Sequence, residues 1–161
     1  MAKTSGPITI CVINLKGGVG KSTISALLCR HAYYTKDLDV LAVDLDPQAN
    51  LSQALMRESY NEFLSEKRPS IVEVFSGYRP PSATKKGSAT LSSDEVVQTI
   101  SEDEKTSLQI IPSRFDFSDN LTNAIRPDPK VLARFLAGEF SKKDLIVIDC
   151  APTESILTQA A

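Results

Sequence analysis

The chain is 161 residues long, 42% apolar and 24% charged, with a formal net charge of -2 at neutral pH. That length suits one domain with one core, and the composition is ordinary for a soluble globular protein. No apolar run is long enough to span a bilayer, and the net charge does not point to nucleic acid or an anionic membrane as a partner, although a local basic patch is compatible with it.

The first residues, "MAKTSGP", carry one lysine and no apolar core, so no signal peptide is expected. Residues 8–13, "ITICVI", form a short β-branched run that reads as a buried strand. Residues 14–20 are a loop. From Lys21 to about Lys36 the apolar residues Ile24, Leu27, Leu28 and Ala32 recur at helical spacing. Residues 39–43, "DVLAV", read as a second strand ending at Asp44. "DLDPQAN" is a turn, because Pro47 pushes Asp46 out of the helical region. "ANLSQALM" then reads as a short helix.

Residues 70–77, "SIVEVFSG", read as a helix with a serine cap and a glycine stop. Residues 78–93 are rich in Pro, Ser, Thr and Lys and read as an exposed loop. "DEVVQTI" is read as a helix, and residues 108–113, "LQIIPS", as a third strand. "SDNLTNAI" and "PKVLARFLAG" read as helices, the second opening at a proline and closing at Gly138. Residues 144–150, "DLIVIDC", are the fourth and most apolar strand. Strands alternate with helices, which predicts an α/β fold: a mostly parallel sheet with helices on its faces. The last stretch, "DCAPTESILTQAA", reads as the opening of a helix without a stop, so the natural chain is expected to continue.

Three widely spaced cysteines (Cys11, Cys29 and Cys150) and a single histidine (His31) argue against a zinc site and a disulfide framework. A reduced, cytosolic protein is the expectation.

The chemistry is concentrated in residues 14–23, "NLKGGVGKST". The run "GGVGKST" follows a predicted strand and opens a predicted helix, which is the setting of a phosphate-binding loop of pattern G-x-x-x-x-G-K-[ST]. Leu15 stands at the first glycine position of that pattern. The physics still favours an anion. Gly17, Gly18 and Gly20 let the backbone turn tightly and present amide N–H groups, and the helix N-terminus adds partial positive charge. Lys21 would reach the β- and γ-phosphates, Ser22 would place a hydroxyl on Mg²⁺, and Thr23 could reach the α-phosphate. The second lysine, Lys16, has two readings. It is a solvated cation near a bound polyanion, or it points outward to phosphates held by another copy of the chain.

"KGGVGKST" closely resembles the deviant Walker A motif of the ParA/MinD superfamily of ATPases, in which the departure at Leu15 is expected. The likeness implies that the nucleotide is bound by Lys16, Gly17, Gly18, Val19, Gly20, Lys21, Ser22 and Thr23. It also implies a role for Lys16: the family's signature lysine crosses to the nucleotide of the partner subunit in an ATP-sandwich homodimer. "VLAVDLDPQANLSQAL" resembles the second motif of the ParA/Soj branch. By that likeness Asp46 falls where the family positions its attacking water, and Asp44 where a carboxylate supports the Mg²⁺ shell. The simpler reading is that both aspartates merely end a strand and start a turn, where Asp is common. "DLIVIDCAPT" resembles the family's Walker B strand, with Asp149 holding Mg²⁺ through water. Ala151 replaces a proline found in many relatives, and Cys150 is expected to be a small buried residue.

The resemblance implies a P-loop NTPase-type sheet with helices on both faces. Residues 1–161 read as the N-terminal portion of one such domain, ending just after Walker B. Pro47 and Gln48 favour the partition branch over MinD-like relatives. Cys11 and Cys29 are not placed to hold the shared cluster of the iron–sulfur relatives. The loop begins too near Met1 for a preceding helix-turn-helix domain. The implied function is a slow, dimerising ATPase with ATP and Mg²⁺ as cofactors, whose DNA binding is controlled by hydrolysis. It would act in chromosome or plasmid partitioning with a ParB-like partner. Nonspecific DNA contacts are expected in the family's C-terminal half, and "Lys85-Lys86" reads as a solvated pair. The expected location is cytoplasmic, nucleoid-associated when ATP-bound, with no membrane. Two other readings stand beside it: a MinD-like switch that positions a membrane or cargo complex, and a non-catalytic binding module. If the sheet continues in the natural protein, the chain as given leaves an apolar strand edge unpaired.

Overall fold

Five short runs with strong β-preference assemble into one sheet. The computed structural model describes residues 6–77, 91–115 and 130–152. The strands are β1 (Ile8–Val12), β2 (Val40–Asp44), β3 (Gln98–Glu102), β4 (Ser107–Ile111) and β5 (Leu145–Asp149), in the order β1-β5-β2-β4-β3. The first four in that order are mutually parallel, and β3 closes the sheet antiparallel to β4. The helices are α1 (Lys21–Lys36), α2 (Asn50–Met56), α3 (Ser59–Ser65), α4 (Ile71–Gly77), α5 (Ser93–Val96) and α6 (Lys130–Glu139). The expected α/β architecture is therefore observed.

The central strands, "VLAVD" and "LIVID", are buried along their whole length. Continuous apolar character is what a strand covered on both faces requires. Val40, Ala42, Leu145 and Val147 face one layer, with Ala26, Cys29, Ala32 and Tyr33 of α1, Leu51 and Leu55 of α2, and Phe63 of α3. Leu41, Val43, Ile146 and Ile148 face the other, with Ile71 and Phe75 of α4, Val96 of α5, and Leu132 and Phe135 of α6.

The ends of three strands opposite the glycine loop are tied by one polar cluster. Asp39 Oδ1 accepts from Ser107 N (2.9 Å), Ser107 Oγ (2.7 Å) and Lys143 Nζ (2.8 Å), while Asp39 N donates to Asp144 Oδ2 (2.9 Å). Lys143 is buried by this pairing, as a lysine interior to a fold must be.

Four expectations change. Residues 8–13 do not form a buried strand. β1 pairs with β5 alone among the described residues, and Ile8 is 67% exposed. The apolar stripe of α1 has a different phase. Ile24 and Leu27 are exposed, while Ala26, Cys29, Ala32 and Tyr33 pack on the sheet, because small side chains let a helix lie close to it. "DEVVQTI" is one helical turn followed by β3. Ser92 and Glu95 form a capping box, and the chain then extends into Gln98–Glu102. An Asx turn at Asp103, whose Oδ1 accepts from Lys105 N and Thr106 N at 2.8 and 2.9 Å, returns it along β4. Finally, α3 is absent from the pattern reading, and α6 continues through Gly138 to Glu139.

The serine cap expected at Ser70 is present: its Oγ accepts from Val72 N at 3.2 Å. Of the loop expected over 78–93, residues 78–90 lie outside the described residues and Ser93 opens α5; the helix "SDNLTNAI", the Pro129 start of α6 and the final helix opening also lie outside the described residues.

Candidate nucleotide-binding site

The C-terminal ends of the parallel strands converge at one edge of the sheet, where ligands bind in open α/β folds. β1 leads into the glycine loop. Gly18 (φ 71°) and Gly20 (φ 84°) take left-handed backbone conformations that any side chain would strain. Gly20 is also the N-cap of α1 and, being a glycine, supplies no side-chain cap. The first-turn amides of α1 are thus left for an external acceptor.

A cavity of about 680 Å³ opens on this loop. Gly17, Gly18, Val19, Gly20, Lys21, Ser22 and Thr23 all line it, with Ala26, Leu27 and Arg30 of α1, Asp46 and Gln48 of the turn after β2, Asn50 and Ala54 of α2, and Pro152. Its size suits a small-molecule ligand. Val19 sits between the two left-handed glycines with its side chain exposed. Lys21 is 8% exposed, and its Nζ donates to the Lys16 carbonyl at 3.4 Å, so the ammonium lies over the loop. Lys16 is exposed. Its backbone N donates to Asn14 Oδ1 (2.8 Å), and its side chain makes no hydrogen bond or ion pair among the described residues.

Strand register sets the carboxylates. Asp44 and Asp149 are direct partners on β2 and β5. Asp149 is fully buried at the strand end. Its Oδ1 accepts from Ser25 Oγ at 2.9 Å, while Oδ2 is buried without a hydrogen-bond partner among the described residues. Burial raises the Asp149 pKa, opposed by the Ser22 and Ser25 hydroxyls and by Lys21, and reinforced by Asp46. An orphaned carboxylate oxygen beside a serine hydroxyl and a lysine is a site that a cation would complete. No group of three or more His, Cys, Asp or Glu side chains among the described residues could hold a metal by itself. The donor set Ser22 and Asp149 instead suits Mg²⁺, which keeps several waters and is bound largely through phosphate oxygens.

Asp46 lines the cavity, and its Oδ1 accepts from Gln48 N at 2.9 Å. Asp44 lies behind it, fully buried. Its Oδ1 accepts from Asp46 N (3.0 Å), and its Oδ2 from Ser52 N (2.8 Å) and Ser52 Oγ (2.7 Å). Burial pushes the Asp44 pKa up to about 7, against the pull of the Ser52 bonds and with the help of the Asp149 charge. Cys150 is buried, and its thiol is pushed up to about 12 chiefly by burial, which leaves no thiolate at neutral pH.

The structure therefore brings residues 17–23 and Asp46 to one cavity, with Asp149 buried beside Ser22 and Asp44 one layer deeper. Pattern reading missed Ser25 and Arg30. Ser25 is legible only as a polar residue in the buried phase of α1. Arg30 Nη2 donates to the Ala54 carbonyl at 2.6 Å and joins α1 to α2 across the cavity floor. The Ser25 bond has a testable consequence, since partners that orient a metal-binding carboxylate tune metal affinity. Ser25→Ala is expected to weaken Mg²⁺-dependent nucleotide binding roughly tenfold and to leave Mg²⁺-free binding within about twofold. Nucleotide titrations with and without Mg²⁺ measure both.

A family model described as "AAA domain" matches residues 8–161. A Sinorhizobium fredii protein named as a replication protein A is 31% identical over 94% of this chain and 36% of its own length. The chromosome partitioning protein ParA of Myxococcus xanthus is 27% identical over 92% of this chain and 46% of its own. The chain thus spans less than half the length of these two curated relatives. Among solved structures, a Borrelia burgdorferi plasmid partition protein bound to AMPPNP superposes with a TM-score of 0.71 at 24% identity, over 97% of this chain and 58% of that one. The pNOB8 ParA bound to nonspecific DNA gives 0.65 at 23% identity, over 94% and 49%. A Mycobacterium smegmatis cobyrinic acid a,c-diamide synthase with an ATP analogue and magnesium gives 0.63 at 29% identity, over 96% and 55%. Among the described residues no helix is long and apolar enough to cross a membrane.

Proposed function

The chain belongs to the ParA/MinD-like AAA-domain family, and from that premise we propose that it is the nucleotide-binding part of a partition ATPase. In this reading it binds ATP with Mg²⁺, dimerises around the nucleotide, and uses slow hydrolysis to control binding to DNA. One observation carries the proposal: the glycine loop, Lys21, Ser22 and Asp46 share a single cavity, beside a buried Asp149 oxygen that lacks a partner among the described residues.

In this reading each residue is given a role that its place supports. The first-turn amides of α1 and the left-handed glycines bind phosphate oxygens through backbone N–H groups. Lys21, held over the loop, neutralises charge on the terminal phosphates. Ser22 and Asp149 would hold Mg²⁺, which when bound would supply charge neutralisation at the phosphates. Asp46, at the cavity wall, accepts a hydrogen bond from the attacking water and holds it in line. Lys16, exposed and unpaired among the described residues, is free to serve a second copy of the chain.

Two of the solved relatives support the finer reading by what their names state: one was bound to AMPPNP and one to nonspecific DNA. The diamide synthase neighbour shows that this fold also serves other chemistry, so the DNA step needs its own test.

The test uses the full-length protein and random-sequence duplex DNA. Retention is measured with ATP, with ADP and without nucleotide, at two salt concentrations. Retention in the ATP state alone, weakened at higher salt, is the expected result, because phosphate contacts release counterions. Loss of retention in every state, with ATP binding intact, would overturn the DNA-linked part and redirect the search to a membrane or protein cargo.

A further inference from the structure

Asp46 must hold its position at the cavity wall, yet it sits in a turn between a strand and a seven-residue helix. That turn is an unfavourable one. Ala49, the residue that enters α2, adopts φ 53° and ψ 32°, a left-handed conformation unusual for alanine. Such geometry persists only where the surroundings over-determine it.

The surroundings here are a buried hydrogen-bonded chain. Ser52, the third residue of α2, is fully buried. Its amide and its hydroxyl both donate to Asp44 Oδ2, at 2.8 and 2.7 Å. The other oxygen of Asp44 is thereby left for Asp46 N, at 3.0 Å. The chain continues beyond the turn. Ser52 Oγ accepts from Ser113 N at 2.9 Å, and Tyr60 Oη donates to the Ser113 carbonyl at 3.2 Å. One serine thus spans the strand end that carries Asp44, the segment after β4 that carries Ser113, and the helix that follows Asp46.

We propose that Ser52 is the positioning residue for Asp46: through Asp44 it sets where the Asp46 turn stands, and through Ser113 it anchors that turn to the segment after the neighbouring strand β4. Ser52 is fully buried and is not among the residues that line the cavity on the glycine loop, so its effect reaches that cavity through the turn. The inference rests on the reading above that Asp46 orients the attacking water.

Two measurements on the full-length protein test it, with Ser52→Ala and Ser52→Thr beside Asp46→Ala. The first is amide hydrogen exchange without nucleotide. Ser52→Ala is expected to speed exchange at the Asp46 and Ser113 amides about tenfold, while core strand amides keep their protection. The second is steady-state turnover. Ser52→Ala is expected to lower kcat about tenfold with nucleotide affinity changed less than about threefold, and Ser52→Thr, which keeps the hydroxyl, is expected to recover most of the loss.

Unchanged exchange at Asp46, or unchanged kcat in Ser52→Ala, would overturn the proposal if Asp46→Ala is inactive. A merely structural serine would lower the urea midpoint and leave kcat of the folded enzyme intact. Full turnover in Asp46→Ala would overturn the reading of Asp46 itself, and this proposal with it. Should Ser52→Ala not fold, Ser52→Cys takes its place, since a thiol nearly keeps the volume and is a weak donor and acceptor.

Discussion

Lys21→Ala is expected to abolish ATP binding at micromolar nucleotide. The side chain is 8% exposed and lies over the glycine loop, within reach of the Lys16 carbonyl. Any phosphate held by the first-turn amides of α1 then meets a nearly desolvated ammonium. Removing one partner from such a charge pair costs about 2–5 kcal/mol, a loss of roughly 30- to 4,000-fold. Titration with a fluorescent ATP analogue measures it. The variant should remain folded, because among the described residues the Lys21 ammonium makes one long hydrogen bond, to a carbonyl of its own loop. Retained micromolar affinity in a folded Lys21→Ala protein would remove the phosphate-loop assignment. Lys21→Arg is informative beside it: the charge survives, but the planar guanidinium does not fit a cradle shaped for a compact ammonium, and binding should stay weak.

Asp46→Ala should separate binding from turnover. Asp46 lines the cavity, but the backbone amides and Lys21 supply the phosphate contacts, so nucleotide affinity is expected to change less than about threefold. Turnover should fall about 100-fold or more, the usual scale for losing a positioned proton acceptor. The expected pair of results is intact ATP-dependent dimerisation by light scattering and phosphate release at background. The substitution also removes the bond from Gln48 N to Asp46 Oδ1, so Asp46→Asn serves as a control that keeps an acceptor there. Loss of turnover in both variants points to the carboxylate. Survival in Asp46→Asn points to the turn. Survival in Asp46→Ala makes Asp46 a turn residue and nothing more.

Much of this architecture is legible in local pattern. "VLAVD" and "LIVID" announce strands buried on both faces, and they are the two central ones. The limits of pattern reading are equally physical. "ITICVI" is as apolar as the other strands, yet β1 lies at the edge of the described sheet and exposes Ile8 and Ile10. Hydrophobicity reports that a residue prefers burial; it does not report what covers it. For α1, Ile24 and Leu27 mark a plausible apolar face, but the helix approaches the sheet through Ala26, Cys29 and Ala32, because close packing rewards small side chains. β3 is hidden behind a capped turn, since helix and strand preferences compete over so few residues.

The sequence by itself determined the glycine loop proposed to bind phosphate, because its parts are contiguous: glycines that free the backbone, a helix start that supplies amides, and a lysine and a serine at the first turn. It also determined the class of fold, through the alternation of strands and helices. Only the tertiary structure decided where the acidic residues sit and what each one bonds. Ser25 and Asp149 are 124 positions apart, and a strand register places Asp44 beside Asp149. Both are fully buried, and hydrogen bonding separates them, with one oxygen of Asp149 left without a partner among the described residues and both oxygens of Asp44 held by backbone and hydroxyl donors. The physical reason is the same throughout. A backbone conformation is chosen by neighbours in the chain, whereas the partner of a carboxylate is chosen by whatever the packed sheet sets against it.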